Sequence, residues 1–311
     1  RDRGTNHFEL FSNSPMWWMC ANDNPSGAAN ATDDNLRPDQ YENFAIYLAA
    51  IAKQAKERWG ITFTVVEPFN EPVSRWWFAD CKQEGCHFSR GAQEAFLPLL
   101  RAELDTRGLR DMPIAASDEN TYDEAVDTWK SFKPAVKRIV DQINVHGYQK
   151  REGRRDQLFE LARKDGKRLW NSEYGEGNAD GLEMAHNLHL DFQYLRPTAW
   201  AYWQPLDGGG WGLIDTDFSS NTLGAVNPKY YVLAQYSRHI RPGMRIIESG
   251  SPNTVAAHDP AGRKLVLVIL NEGPARTVTF DLTRFNTTRA AAARWVTEPK
   301  TGVSYDFRRD L

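Results

Sequence analysis

The 311-residue sequence is poor in cysteine, in long apolar stretches and in excess charge. Its three cysteines are too few for a disulfide scaffold and lack the spacing of a tetrahedral zinc site. No apolar run approaches the roughly 18 residues of a membrane span. Lysine and arginine number 38 against 41 aspartate and glutamate residues, so the basic surface that binds nucleic acid is not expected. We therefore predict neither a membrane nor a nucleic acid as partner, and no metal or cofactor.

The cysteine count is odd, so it permits one disulfide and one free thiol. Cys86 could pair with Cys81 or with Cys20, and the sequence does not choose between them. The triplets Asn30-Ala-Thr32 and Asn286-Thr-Thr288 match the acceptor pattern for N-glycosylation. Both are compatible with a secreted protein, and we expect it to be a secreted monomer.

Aromatic residues are plentiful, with eleven tryptophans and eleven tyrosines. Their flat faces stack on the apolar C–H faces of sugars, and the Trp N–H or Tyr O–H adds a polar group. The alternative is that they fill the core, which holds for most tryptophans taken at random. Tryptophans at the ends of strands favour the first interpretation.

Short β-prone runs alternate with amphipathic helical segments as far as about residue 224, the order typical of an α/β protein. The candidate strands are 8–13, 62–69, 113–117, 142–148, 168–173 and 198–204. Helices are predicted from Pro38 to the residue before Gly60, and at 90–107, 121–133, 155–165 and 180–195.

Two of these strands end in a glutamate, Glu71 and Glu173, which are 102 residues apart. That interval holds about three βα units of a (β/α)8 barrel, in which chemistry occurs at the carboxyl ends of the strands. A carboxyl pair on opposite sides of a substrate is what cleavage of a glycosidic bond requires. The pattern therefore predicts a glycoside hydrolase.

Six strands leave an eight-stranded barrel two strands short at the N-terminus. We expect residues 1–224 to be a TIM-type (β/α)8 catalytic barrel that lacks its first two strands, in a chain that is a fragment of a longer protein. From residue 225 the sequence becomes strand-like, and the runs 264–270 and 276–282 resemble a hairpin. Residues 225–311 are predicted to form a C-terminal β-sandwich module packed on the barrel.

Five motifs in order resemble those of glycoside hydrolase family 30, over nearly the whole chain. They are Phe11-Ser-Asn-Ser-Pro-Met-Trp-Trp-Met19, Glu67-Pro-Phe-Asn-Glu-Pro72, Val145-His-Gly-Tyr148, Asn171-Ser-Glu-Tyr-Gly175 and Trp200-Ala-Tyr-Trp-Gln-Pro-Leu-Asp207. The resemblance implies double displacement with retention of configuration, in which Glu71 is the general acid/base and Glu173 the nucleophile.

Further residues are expected to bind substrate or to support the pair. Asn70 precedes Glu71 and can reach a sugar hydroxyl, while His146 has the strand parity of Tyr148 and is a site residue rather than a core group. By the resemblance, Tyr148 donates a hydrogen bond to the nucleophile, Trp203 is the stacking platform for the cleaved sugar, and Trp17 is a neighbouring wall. Trp211 follows three glycines and either reaches the rim of the site or packs in the fold.

The segments Pro72-Val-Ser-Arg-Trp-Trp77 and Gln83-Glu-Gly-Cys-His-Phe88 most resemble the endo-β-1,6-galactanase branch of the family. This predicts an endo-hydrolase of the β-1,6-galactan side chains of arabinogalactan. The alternatives are an endo-β-1,6-glucanase or another β-glycanase of the family, and a non-catalytic fragment that only binds glycans.

Overall fold

The computed structural model describes residues 4–285 and 292–308. It contains both helices and sheets, which confirms the α/β expectation. The chain forms two compact units, the first made of Arg1–Glu173 with Tyr194–Ala201 and the second of Tyr174–Gln193 with Tyr202–Leu311. The domain boundary expected after residue 224 remains a prediction.

The first unit contains parallel strands at five of the six predicted places, and the sixth place, 113–117, contributes isolated parallel bridges. Four of the five strands are shorter than predicted, whereas the strand at 168–173 forms over its full predicted length. Strand β1 pairs with β2, and β3, β4 and β5 form a second parallel sheet. The segment between them joins the series, since Ile114 bridges Val66 and Ala115 bridges Gln142, both in parallel. The strand bounds are Glu9–Phe11 (β1), Val65–Glu67 (β2), Gln142–His146 (β3), Arg168–Glu173 (β4) and Ala199–Trp200 (β5).

Helices connect these strands, as in βα units. Their bounds are Tyr41–Gln54 (α1), Arg90–Thr106 (α2), Tyr122–Ser131 (α3), Pro134–Ile139 (α4) and Arg155–Asp165 (α5). A 3-10 turn at Pro38–Gln40 precedes α1, and a π-helical turn at Ala55–Trp59 follows it up to Gly60, which has a φ of 63°.

Local hydrogen bonds explain where two helices begin. The Oγ of Ser89 accepts a hydrogen bond from the amide of Ala92 at the start of α2. The Oγ1 of Thr121 accepts one from the amide of Glu124 at the start of α3. Both are N-caps, which satisfy amides that lack a partner within the helix. Ser89 and Thr121 thus mark the starts of α2 and α3.

The apolar faces of α1 and α2 pack on the strand side of the first unit through phenylalanine rings. The Phe44 and Phe96 rings lie 5.0 Å apart between centroids, and the Phe69 and Phe88 rings also lie 5.0 Å apart. Phe69 is two residues before Glu71, and all four side chains are fully buried. Burial of each ring stabilises the fold by about 1.5–3 kcal/mol, so the chain segment that presents Glu71 is anchored in the core.

The second unit contains two helices and several small sheets. The helices are Leu182–Leu190 (α6), followed by a π-helical turn at Asp191–Leu195 that runs into the first unit, and Pro228–Ser237 (α7). The strands are Leu206–Asp207 (β6), Ile214–Asp217 (β7), Thr222–Val226 (β8), Arg245–Ile247 (β9), Thr254–Asp259 (β10), Lys264–Ile269 (β11), Arg294–Glu298 (β12) and Val303–Arg308 (β13).

The hairpin expected between 264–270 and 276–282 was wrong. Strand β11 pairs instead with the preceding strand β10, in antiparallel register from Thr254 opposite Ile269 to Asp259 opposite Lys264, and residues 276–282 form no strand. The turn 260–263 is short, so β10 and β11 are joined by a four-residue connection of the kind that favours antiparallel pairing of consecutive strands.

Some expectations concern cysteines and glycosylation. Cys20, Cys81 and Cys86 are all free thiols, so neither proposed pairing of Cys86 is present. Asn30 lies on the surface, whereas the triplet 286–288 lies outside the described residues. Within residues 4–285 and 292–308, each helix is too short or too polar to cross a bilayer.

Candidate active site

Glu71 lies four residues beyond the last residue of β2, in a backbone conformation that residues other than glycine seldom adopt. Its φ is 48°, in the left-handed region. Two hydrogen bonds hold it there, one from its amide to the carbonyl of Asp118 at 2.9 Å and one from Nε1 of Trp77 to its carbonyl at 3.0 Å. The side chain is 7% exposed. The loop thus presents one buried carboxyl group in a defined place.

Glu173 is the last residue of β4, and two contacts from the end of β3 hold it. The hydroxyl of Tyr148 donates a hydrogen bond to its Oε1 at 2.8 Å, and the amide of Gly147 donates one to its carbonyl oxygen at 2.8 Å. The geometry matches the expectation that Tyr148 holds this carboxylate.

His146 joins the two glutamates. Its Nδ1 lies 2.9 Å from Oε1 of Glu71 and 3.6 Å from Oε1 of Glu173, and its Nε2 lies 3.0 Å from Oδ2 of Asp118. One oxygen of each glutamate and a ring nitrogen of His146 lie within 4.8 Å of one another. The structure therefore brings together Glu71, Glu173, His146 and Tyr148, as the sequence predicted.

The surroundings of the histidine ring favour its cationic form. Burial by itself lowers the pKa of His146, but the carboxylates of Asp118 and Glu173, together with its contacts to Asp118 and Glu71, outweigh that effect and raise the pKa well above 6.5. The imidazolium supplies positive charge to this compact grouping. Each ring nitrogen lies within 3.0 Å of a carboxylate oxygen, so carboxylates stand on two sides of one basic ring.

Opposing influences act on the pKa of Glu173, the candidate nucleophile. Burial raises the pKa of Glu173 above 4.5, and the charges of Asp118 and Glu71 act in the same direction. The imidazolium of His146 and the hydrogen bond from Tyr148 favour the ionised form and limit the rise.

Two further carboxyl groups lie deeper, on the strands themselves. Burial and the charge of Asp118 raise the pKa of Glu9 to about 7. Burial also raises the pKa of Glu67 well above 4.5, and Asp118 and Glu9 add to this. The Glu67 side chain is fully buried, four residues before Glu71. Its burial favours the neutral form of the carboxyl group and a structural role.

Two residues of the site were missed by the sequence argument. Asn120 donates a hydrogen bond from Nδ2 to Oε1 of Glu71 at 2.6 Å, and Asp118 faces His146. Both belong to the polar run Ser117-Asp-Glu-Asn120, which follows the predicted strand 113–117. A polar run at a strand end was the signal that could have found them, because such ends meet at one edge of a parallel sheet.

The remaining candidates in the first unit are Asn70 and Trp17. Asn70 is buried beside Glu71 in the chain. Trp17 is 54% exposed and packs edge-on against Trp18, with ring centroids 5.6 Å apart. An exposed, braced indole is compatible with the sugar-facing wall expected of it.

Trp203 and Trp211 belong to the second unit, where glycines fix their surroundings. The amide of Trp203 donates to the carbonyl of Tyr174 at 2.8 Å. A Cβ atom at Gly175 would come within 2.3 Å of the Trp203 carbonyl oxygen and within 2.5 Å of the Trp211 ring. Trp203 is 43% and Trp211 37% exposed, so Trp211 is packed on one side and open on the other. Their relation to the two glutamates remains a prediction.

Comparison with known proteins adds three findings. Residues 1–136 match the model of O-glycosyl hydrolase family 30. Over 97% of its length the chain is 52% identical to an endo-β-1,6-galactanase of Hypocrea rufa, of which it spans 63%.

Two solved structures show the same fold. A conserved exported protein from Bacteroides fragilis has a TM-score of 0.80 at 18% identity, covering 99% of this chain and 74% of its own. A family 30 subfamily 8 xylanase from Clostridium acetobutylicum has a TM-score of 0.74 at 21% identity, covering 98% and 74%.

Proposed function

We propose, from the match of residues 1–136 to the model of O-glycosyl hydrolase family 30, that this chain is a retaining endo-hydrolase of β-1,6-galactan. The observation that carries the proposal is the pair Glu71 and Glu173, held by one shared histidine with carboxylate oxygens within 4.8 Å. Carboxyl groups of retaining enzymes stand roughly 5–5.5 Å apart, whereas inverting enzymes need roughly 6.5–9.5 Å to admit a water molecule. The close pair supports retention.

In the first step, an oxygen of Glu173 attacks the anomeric carbon of the bound galactose while Glu71 donates its proton to the departing glycosidic oxygen. The C–O bond to the leaving sugar breaks and a glycosyl ester forms on Glu173. In the second step, Glu71, now ionised, takes a proton from water. The water oxygen attacks the anomeric carbon from the side that the leaving sugar had occupied, and the bond to Glu173 breaks. Two displacements restore the original configuration.

The supporting groups have distinct tasks. The 2.8 Å hydrogen bond from Tyr148 orients Glu173 and favours its ionised form. Asn120, with its amide 2.6 Å from Glu71, holds the acid's carboxyl group. We assign Asn70, Trp17, Trp203 and Trp211 to contacts with the glycan, in which the indole rings stack on sugar faces.

The choice of galactan rests on the relative from Hypocrea rufa, whose name states endo-β-1,6-galactanase activity, and on its 52% identity to this chain. A site that hydrogen-bonds one hydroxyl epimer leaves polar groups unpaired with the other, so galactose and glucose are separable by such contacts. We extend the proposal to the β-1,6-galactan side chains of arabinogalactan.

The proposal includes the wider architecture. The consecutive parallel segments of the first unit support a (β/α)8-type barrel. The antiparallel sheet β9–β11 supports a β-sandwich module at the carboxyl end. We also propose that the protein acts as a secreted monomer, for which the surface position of Asn30 is compatible.

The test is product sizing after incubation with de-arabinosylated β-1,6-galactan, with β-1,6-glucan, xylan and β-1,3-galactan in parallel. Short galactooligosaccharides from the first substrate alone are expected. Release from β-1,6-glucan instead would assign the glucanase alternative.

Glu173→Gln separates an enzyme from a glycan-binding fragment, because it removes the nucleophile and leaves the shape of the site. Turnover should fall by several orders of magnitude while binding of the glycan persists. If the wild-type chain binds galactan without releasing products, and Glu173→Gln binds it equally well, the chain only binds glycan.

A further inference from the structure

Asp118 connects three parts of the proposed site through one residue. Its Oδ2 lies 3.0 Å from Nε2 of His146, and its Oδ1 accepts a 2.5 Å hydrogen bond from the hydroxyl of Ser172, the neighbour of Glu173. Its carbonyl oxygen accepts from the amide of Glu71 at 2.9 Å. The side chain is buried, so water does not screen the pairing with His146.

The backbone of Asp118 is held in a conformation that suits this task. Its φ is 60°, a left-handed value that aspartate adopts more readily than most residues. Its amide donates to the carbonyl of Asn144 on β3 at 3.2 Å. Two neighbouring segments therefore fix the position of the carboxylate relative to the histidine.

Several groups face His146, and their charges differ. Glu9 comes from β1, Glu67 from β2, Glu71 from the following loop, Asp118 from the next strand end, and Tyr148 and Glu173 from the ends of β3 and β4. Burial raises the pKa of Glu9 and of Glu67, which disfavours their ionised forms. Asp118 and Glu173 are the carboxylates whose charges act most strongly on the ring.

The proposed reaction moves one of these two charges. When the glycosyl ester forms, Glu173 loses its charge and Glu71 gains one. Nδ1 of His146 lies 2.9 Å from Glu71 and 3.6 Å from Glu173, within reach of whichever glutamate is ionised. The carboxylate of Asp118 takes no part in this exchange, so its charge is constant throughout.

We propose that Asp118 is a positioning residue that keeps His146 protonated on both nitrogens, so that the Nδ1–H can stabilise negative charge on Glu173 and Glu71 in turn. The role of Asp118 in catalysis rests on the proposed function, whereas its effect on the protonation of His146 does not. Without Asp118, a neutral ring could present a bare nitrogen to Glu71 and lose the donor.

The first test is direct observation of the ring. NMR of protein labelled at histidine Cε1 should show His146 protonated at pH 7, with its signal assigned by its loss in His146→Gln. In Asp118→Asn, which removes the charge and keeps the shape, the ring should titrate at a pH at least one unit lower, because an opposite charge this close changes a pKa by about 1–3. An unchanged titration would overturn the proposal whatever the activity.

Two variants guard against misreading. Asp111→Asn makes the same chemical change at an exposed position and should leave the titration and the activity unchanged. Ser172→Ala removes the hydrogen bond to Oδ1 of Asp118 and leaves the charge of Asp118 in place. The pH at which His146 titrates should change less in this variant than in Asp118→Asn. If Asp118→Asn fails to fold, the wild-type titration still tests the proposal, because a His146 ring that is neutral at pH 7 would contradict it.

The second test uses kinetics on β-1,6-galactan. For Asp118→Asn we expect kcat to fall at least about tenfold at pH 7, the factor equivalent to one pKa unit, with KM little changed. The high-pH limb of the kcat profile should move to lower pH, which a merely structural defect would not do. An inactive wild-type chain in which the ring titrates as expected would reject the proposed function and leave the role of Asp118 intact.

Discussion

The hydroxyl of Tyr148 lies 2.8 Å from Oε1 of Glu173 and donates a hydrogen bond to it. Tyr148 lies two residues beyond β3 and Glu173 ends β4, and the parallel register of these two strands has an irregularity between Val145 and His146. The contact is part of a chain of polar groups that runs from Tyr148 through Glu173 and His146 to Glu71. The charge of the nucleophile therefore depends on side chains from three segments.

Tyr148→Phe removes this donor with little change in volume. Hydrogen bonds to charged groups contribute about 1.5–3 kcal/mol, so kcat/KM should fall roughly 10- to 100-fold. The pKa of Glu173, already raised by burial, should rise further and move the low-pH limb of the kcat/KM profile to higher pH. Wild-type profiles in the variant would show that the contact does not stabilise the carboxylate.

Glu71→Ala removes acid assistance and leaves the nucleophile. Substrates with good leaving groups should undergo the first step far better than galactan does, because their departure needs no proton. Added azide should restore turnover and yield a β-glycosyl azide, since a small anion can fill the space and attack the ester. Equal losses on both kinds of substrate would contradict the acid/base assignment.

Stability should depend on pH through Glu119, a fully buried residue whose carboxyl accepts hydrogen bonds from Thr128 at 2.6 Å and from the amide of Val73 at 3.3 Å. Burial raises the pKa of Glu119 from 4.5 to about 8. The folded state thus binds a proton that the unfolded state releases, and this contribution to stability is fully present below pH 4.5 and is lost as the pH rises through 8.

The free energy of unfolding should therefore decrease between pH 5 and pH 9, by at most on the order of 5 kcal/mol from this group. Glu119→Gln stays neutral and keeps an acceptor oxygen, so its urea denaturation midpoint should vary less with pH than that of the wild type. Parallel curves for the two proteins would show that Glu119 is not responsible.

Gly175→Ala should disturb the packing of Trp203 and Trp211 in the second unit, because its Cβ would lie 2.3 Å from the Trp203 carbonyl oxygen and 2.5 Å from the Trp211 ring. We expect a change in tryptophan fluorescence and weaker binding of galactan. Gly91→Ala, in helix α2, is the matched control, since the nearest atom to its Cβ would be Oγ of Ser89 at 3.9 Å. Alanine in place of glycine stabilises a helix by up to about 1 kcal/mol. A silent Gly175→Ala would show that the loop accommodates the methyl group.

The sequence by itself determined the order of the elements and pointed to Glu71 and Glu173 as the proposed reactive pair. Alternation of apolar periods located the strands and helices, while Ser89 and Thr121 marked helix starts through hydrogen bonds made within four residues. Glu71 and Glu173 were found because parallel strands present their ends at one edge. These features depend on neighbours in the chain, which a sequence displays directly.

The tertiary structure decided the features that depend on distant segments. It placed Asp118 and Asn120 against His146 and Glu71, paired β11 with β10 instead of with residues 276–282, and left all three cysteines as thiols. The charge on His146 also follows from carboxylates 28 and 27 positions away in the chain, at Asp118 and Glu173. Such pairings and charges arise from burial and from distances in space, which no local pattern in the sequence records.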